Sequence, residues 1–131
     1  MSDSSQRDGK YSVTDPERRW IDHENLDVYE VGREFLEFSN SAIQKLPNGV
    51  SELRNQLVSA ASSITLNIAE GTGRPMGKDR KRFYRYADGS ARECAAILDV
   101  LHAFEGIDES TYLRGRELLI RIISMLNRMI R

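Results

Sequence analysis

Hydrophobic residues recur at three- and four-residue spacing in four segments of this chain, which is the pattern of amphipathic helices. The pattern predicts helices over residues 25–46, 51–70, 78–105 and 112–130. Helices of about twenty residues joined by short connections favour an antiparallel up-down-up-down bundle. No segment alternates with the period of two that a half-buried β-strand requires. The predicted fold class is therefore all-α, an antiparallel up-down-up-down four-helix bundle.

The second predicted helix is the element around which the others are expected to pack. Its core stripe consists of apolar residues at helical spacing: Leu57, Ala60, Ala61, Ile64 and Ile68. Many of its residues are small, so a neighbouring helix can approach it closely. We expect Gly71 to end this helix with a positive φ, and Pro75 to prevent its continuation by restraining Arg74.

Apolar positions elsewhere predict further contacts. Phe83 and Phe104 lie on the predicted core face of the third helix. Gly89 lies inside that helix, where it costs about 1 kcal/mol relative to alanine, so we expect close contact with another helix there. The fourth helix has a second apolar strip that one core does not require, formed by Leu118, Ile122, Met125 and Met129. An exposed strip of this kind predicts an oligomer.

Composition indicates an ordinary single domain. The chain has 131 residues with 40% hydrophobic and 30% charged residues. Residues 1–21 are polar and aperiodic and are predicted to form a flexible arm, whereas residues 22–131 form the bundle. There is no apolar leader and no run long enough to span a membrane, so we expect a cytoplasmic protein. The single cysteine, Cys94, lies on an apolar face and is predicted to be a small buried hydrophobe.

Two blocks of residues resemble the four helix bundle protein family, also called the 23S ribosomal RNA intervening-sequence proteins. The first block is Asn67-Ile68-Ala69-Glu70-Gly71 followed by Gly73-Arg74. The second contains Phe83, Ala87, Gly89-Ser90 and Glu93. The resemblance runs from about Leu26 to the C-terminus, and the order and separation of the blocks are similar to those of the family.

The resemblance implies a four-helix bundle that forms a cyclic homo-oligomer, typically a pentamer. It also implies no established enzymatic activity and a suspected role in binding RNA or DNA. No cofactor is expected. The chain departs from the family at Val58 and Ser59, where two basic residues are usual, and at Thr65, where proline is frequent. Any contribution of those basic residues to nucleic-acid binding is missing here.

Basic residues form the strongest candidate site. The net charge is −1, yet residues 74–92 contain seven basic and two acidic residues, and residues 111–131 contain five and one. Helical spacing places two stripes opposite the predicted core: Lys78, Arg82, Arg85 and Arg92 on the third helix, and Arg114, Arg121 and Arg128 on the fourth. Guanidinium groups suit phosphate oxygens, and Tyr84 and Tyr86 beside the first stripe are suited to stacking on unpaired bases.

Three interpretations of these stripes remain open. Charged residues opposite a core are most simply a solvated face. Alternatively, an acidic stripe on the first helix meets the basic stripe of a neighbouring subunit, in which case the protein is an interaction scaffold that binds no nucleic acid. The acidic stripe consists of Asp27, Glu30, Glu34 and Glu37. The third interpretation is contact with the phosphates of RNA or DNA.

The remaining polar residues favour structure over catalysis. We interpret Asn67, Glu70 and Arg74 as a polar clasp between the second and third helices. We expect Glu93 to form a buried or interfacial ion pair with an arginine. A di-iron bundle needs two Glu-x-x-His pairs and two further carboxylates. Only His23 and His102 are present, so no metal site is predicted. No set of catalytic residues is apparent, and we expect that the protein is not an enzyme.

Overall fold

The computed structural model describes residues 21–131, all of whose regular secondary structure is helical. A short 3₁₀ helix at Asp22–Asn25 precedes the first long helix, and another at Asn48–Val50 precedes the second. The four long helices are α1 (Asp27–Ile43), α2 (Ser51–Thr72), α3 (Lys78–Ala103) and α4 (Glu109–Ile130). Each helix packs against its neighbours in chain order, and α4 also packs against α1. The predicted all-α four-helix bundle is confirmed. The predicted arm lies almost wholly outside the described residues.

Local interactions explain where the helices begin and end. The Asp108 carboxylate accepts a hydrogen bond of 2.8 Å from the Thr111 backbone N–H and caps α4, which starts three residues before the predicted position. The first long helix, predicted to begin at residue 25, begins at Asp27, because Asn25 ends a 3₁₀ turn. Glu105 has a φ of 58° beyond the end of α3, where such a conformation usually requires glycine.

All four helices contribute to one apolar core. Its largest fully buried side chains are Phe35, Leu57, Ile64, Ile68, Leu98, Leu101, Leu118, Leu119, Ile122 and Leu126. Two predictions about this core are wrong. Phe104 is 67% exposed because α3 ends at Ala103 and the helical phase is lost. The second strip of α4 is not exposed, because Leu118 and Ile122 are buried and Met125 and Met129 are partly buried against the core. Since α4 packs against both α3 and α1, its wide apolar face is covered within the chain and does not itself require an oligomer. The exposed apolar residues of α4 are Leu113 and Ile120.

The predicted roles of two glycines, Gly71 and Gly89, are both wrong. Gly71 lies inside α2 and does not end it with a positive φ. A Cβ atom at Gly71 would lie 3.0 Å from the Arg80 carbonyl oxygen, the Phe83 Cβ and the Tyr84 Cε1. Gly71 is therefore a close-contact residue between α2 and α3. Gly89, predicted to make such a contact, is exposed, and a Cβ there would meet nothing within 4 Å.

Candidate nucleic-acid interface

The basic stripe of α3 is exposed, but half of it is paired with acids of the same helix. Arg82 Nη2 lies 2.7 Å from Asp79 Oδ1, and Arg92 Nε lies 3.0 Å from Asp88 Oδ2. The hydrogen bond from Arg82 lowers the pKa of Asp79, so this pair remains charged at neutral pH. The other two members of the stripe, Lys78 and Arg85, are exposed and form no ion pair with a described residue.

One of the two tyrosines beside this stripe is available to a partner. Tyr86 is 48% exposed, and its hydroxyl accepts a hydrogen bond of 3.2 Å from Arg82 Nη1. Tyr84 is only 4% exposed, and its hydroxyl lies 2.8 Å from Thr72 Oγ1. A phenol can be buried when its hydroxyl has a partner. The prediction that Tyr84 stacks on bases is therefore wrong, and Tyr84 rather than Phe83 is the fully buried ring.

The basic stripe of α4 faces the acidic stripe of α1 in the same chain. Arg114 Nη2 lies 3.6 Å from Glu34 Oε2, and Arg114 Nη1 lies 2.8 Å from Glu117 Oε1. Arg121 and Arg128 line a groove between α1 and α4. Its acidic lining residues are Asp27, Glu30 and Glu34. These carboxylates lower the positive potential of the α4 stripe, so the two predicted stripes are not electrostatically equivalent.

The residues that carry the family resemblance gather along the contact between α2 and α3. Asn67 donates a hydrogen bond of 2.9 Å to the Ser63 hydroxyl, which also accepts one of 2.8 Å from Ser90. The predicted partner of Glu70 is present, because Arg74 Nη2 lies 2.7 Å from Glu70 Oε2. Arg74 Nη1 also lies 3.3 Å from Asp79 Oδ2 and so reaches the first turn of α3. These contacts form a clasp between the two helices.

Glu93 departs from the expected pattern. Its side chain is exposed and forms no ion pair with a described residue, so the buried ion pair is absent, whereas an ion pair across a subunit interface stays a prediction. Cys94 next to it is buried as predicted. Burial and the neighbouring charge of Glu93 raise the pKa of the Cys94 thiol to about 12, which makes the thiol unreactive at neutral pH.

Sequence reasoning did not identify Arg80, whose guanidinium closes the C-terminal end of α2. Its Nη2 donates hydrogen bonds of 2.8 Å to the Thr72 carbonyl and 2.7 Å to the Arg74 carbonyl. These bonds satisfy backbone acceptors that a helix end leaves without partners. Periodicity could not distinguish Arg80 from the other basic residues around it. Because these carbonyls hold its guanidinium, Arg80 is not available to bind a phosphate.

A cavity whose lining includes two basic residues does not form a second basic site. A cavity of about 310 Å³ lies between the end of α1 and the start of α4, lined in part by Lys45, Asp108 and Arg114. The hydrogen bond from Thr111 lowers the pKa of Asp108, and the charge of Lys45 acts in the same direction. Arg114 is held by two glutamates, so the cavity has little net positive charge.

Within residues 21–131, no group of three or more His, Cys, Asp or Glu side chains is placed to hold a metal ion. No helix in this range is both long and apolar enough to cross a membrane.

Comparison with known proteins agrees with this architecture. The family model described as 23S rRNA-intervening sequence protein matches residues 24–128. The chain belongs to this family. In this intervening-sequence family member the match covers α1, α2, α3 and α4 as far as Arg128, and it includes the α2–α3 clasp and both basic stripes. No curated protein matches the chain.

Proposed function

We propose that this protein is a non-catalytic, cytoplasmic homo-oligomer that binds the backbone of RNA or DNA. The contact surface is the α3 stripe, with Lys78 and Arg85 as the principal phosphate ligands and Tyr86 as a stacking platform. Binding is expected to be largely independent of sequence, because contacts to phosphates position a nucleic acid without reading its bases.

The proposal rests on one observation, which is that the α3 stripe and the α4 stripe differ in their acidic neighbours. Lys78 and Arg85 point away from the core and have no acidic partner among the described residues. Arg114, Arg121 and Arg128 of α4 lie beside the acids of α1. Arg82 and Arg92 hold acids of their own helix and are expected to contribute less.

Homo-oligomerisation would compensate for the small number of basic residues on α3 that have no acidic partner among residues 21–131. With a net charge of −1, one subunit has weak overall attraction for a polyanion. A ring repeats the α3 stripe in every subunit, and one strand bound at several stripes gains affinity through high effective concentration. The family supports this expectation through the pentamer that the resemblance implies.

The proposal is tested by measuring the binding of the wild-type protein to a fluorescent single-stranded RNA of random sequence, and to the corresponding DNA, at increasing salt. We expect the logarithm of the association constant to fall linearly with the logarithm of salt concentration, with a slope of roughly −0.7 for each phosphate neutralised. Lack of salt-sensitive binding at low ionic strength would remove nucleic acid from the proposed function.

A protein-interaction scaffold without nucleic-acid binding is the second candidate. It is favoured by the exposed Gly89, which no residue of 21–131 covers, and by the exposed apolar residues Leu66 and Ile120. An oligomer that forms in solution but binds neither RNA nor DNA in the salt titration would support this candidate over the first.

A further inference from the structure

Two residues within the α3 stripe are not explained by contact with phosphates. Gly89 lies between Arg85 and Arg92 in the row of basic residues, and Glu93 follows one turn later. Both are exposed, and Glu93 forms no ion pair with a described residue. A carboxylate on this face repels phosphates, and a glycine inside a helix lowers stability relative to alanine. Each residue therefore has a cost that phosphate binding alone does not offset.

Gly89 leaves an open space in the surface of α3, here called the Gly89 notch. A Cβ atom at this position would meet no neighbouring atom of the described chain within 4 Å. A side chain on a helix covers the turn that precedes its own Cα, so Glu93 leans towards the turn of Gly89. Tyr86 leans away from that turn, and its hydroxyl accepts a hydrogen bond from Arg82. The notch is therefore bordered by a ring at one end and a carboxylate at the other.

The two sides of the notch differ in their chemistry. Helical spacing places Arg85 and Arg92 on one side of Gly89 and places Tyr86 and Glu93 on the other. The cationic side suits a phosphate. The other side suits a base, because unpaired bases stack on aromatic rings and offer N–H groups along their edges. The arrangement matches the two parts of one nucleotide.

Arg92 retains donors that a phosphate can use, although it is paired with an acid. Its Nε lies 3.0 Å from Asp88 Oδ2, and its Nη groups form no hydrogen bond within the described part of the chain. The contact with Asp88 restrains the guanidinium beside the notch. Asp88 offsets the charge of Arg92, so Arg92 orients a phosphate more than it adds to the overall attraction.

The carboxylate of Glu93 distinguishes bases by their donors. An ionised carboxylate accepts hydrogen bonds and cannot donate them. Cytosine has an amino group at the position where uracil has a carbonyl oxygen, and acidic side chains accept hydrogen bonds from that amino group. Uracil offers Glu93 an oxygen that the carboxylate repels. The same acid that weakens phosphate binding therefore favours one base over the other.

We propose that the Gly89 notch holds one unpaired nucleotide of a bound strand, and that Glu93 selects a base with an amino group by accepting a hydrogen bond from it. This inference rests on the nucleic-acid part of the proposed function. It adds a modest base preference to an attraction that is otherwise independent of sequence. The strand is single, because the cytosine amino group of an RNA duplex lies in a major groove that is too narrow for side chains.

Two single-stranded RNA oligomers of equal length test this preference, one of cytidine and one of uridine. They carry the same number of phosphates, and their bases differ in the amino group that Glu93 is proposed to bind. At neutral pH we expect the wild-type protein to bind the cytidine oligomer about fivefold more tightly, because a hydrogen bond to a charged group is made with cytosine only. The salt slopes of the two oligomers are expected to be equal.

The variant Glu93→Gln is expected to lower the ratio of the two affinities to about 1, because an amide can accept from cytosine and donate to uracil. The matched control is Glu37→Gln, which removes the same charge from an exposed position on α1. Helix α1 packs against α2 and α4, away from the stripe. The control is therefore expected to keep the wild-type ratio, whatever the lost charge does to both affinities.

The variant Gly89→Leu tests the notch itself. It fills the open space without removing a charge, so it is expected to weaken the binding of both oligomers about tenfold at an unchanged salt slope. Its melting temperature is expected to equal or exceed that of the wild type, because the added Cβ meets no described neighbour and leucine favours a helix. A folded Gly89→Leu variant with wild-type affinity would overturn the notch as a nucleotide site.

The failure of this inference is distinguishable from the failure of the proposed function. Salt-sensitive binding of both oligomers with equal affinity would overturn the role of Glu93 and leave the proposed function in place. Lack of salt-sensitive binding to either oligomer would remove both. Sedimentation of Glu93→Gln as smaller species than the wild type would also overturn the inference, since Glu93 would then belong to a contact between subunits.

Discussion

Phe35→Ala is expected to lower the free energy of unfolding by about 3–5 kcal/mol. Phe35 is fully buried, with its ring centroid 5.5 Å from that of Phe38, so truncation removes apolar contacts and leaves a cavity. The matched substitution Phe104→Ala is expected to change stability by less than about 0.5 kcal/mol, because that ring is mostly exposed. Urea denaturation followed by circular dichroism measures both values.

The comparison is informative because both phenylalanines lie on predicted core faces. Equal losses for the two variants would show that Phe104 is covered, either in the chain or in its oligomer. Denaturation at two protein concentrations separates these cases, since the stability of an oligomer depends on concentration.

Gly71→Leu is expected to destabilise the bundle by about 3 kcal/mol through overpacking. A Cβ at Gly71 would already lie 3.0 Å from three atoms, one of them a backbone oxygen that cannot move independently of α3. A leucine therefore forces α2 and α3 apart at the clasp. The control is Gly73→Leu, two residues away, where a Cβ would lie no closer than 3.6 Å to its nearest neighbour.

The two glycine variants are compared by thermal unfolding at one protein concentration. Gly73→Leu is expected to remain within about 0.5 kcal/mol of the wild type, because Gly73 is exposed and has a helical φ of −77°. A Gly71→Leu variant as stable as Gly73→Leu would contradict the close contact between α2 and α3.

Periodicity predicted the number, type and approximate bounds of the helices, since each segment is long and strongly amphipathic. Periodicity failed where the position of a residue around its helix does not determine whether that residue is buried. Phe83 and Tyr84 are adjacent, and only the hydroxyl of Thr72 explains why the tyrosine is the buried ring. Gly71 and Gly89 both lie in helices, and which of them touches a neighbour depends on the crossing of α2 and α3.

The candidate site was predictable in position but not in electrostatics. Helical spacing correctly placed Lys78 and Arg85 on an exposed side of α3. The pairs Asp79–Arg82 and Asp88–Arg92 have the three- and four-residue spacing of helical ion pairs, so sequence alone could have identified them. The proximity of the α4 stripe to the acids of α1 could not be derived in this way, because it requires knowing that α1 packs beside α4.

The most direct test of the account compares two double variants that each remove two positive charges. One is Lys78→Ser with Arg85→Ser in the free α3 stripe, and the other is Arg121→Ser with Arg128→Ser in the α4 row beside the α1 acids. Binding to single-stranded RNA is measured over a range of salt concentrations, and sedimentation in the same buffer verifies that both oligomers are intact.

We predict that the α3 variant flattens the log–log salt slope by about 1.4 for each subunit that contacts the strand, and that the α4 variant keeps the wild-type slope. Equal flattening by both variants would contradict the account. Binding would then depend on the total charge of the protein and not on the α3 residues that have no acidic partner. A larger effect of the α4 variant, or dissociation of the α3 variant into smaller species, would contradict it as well.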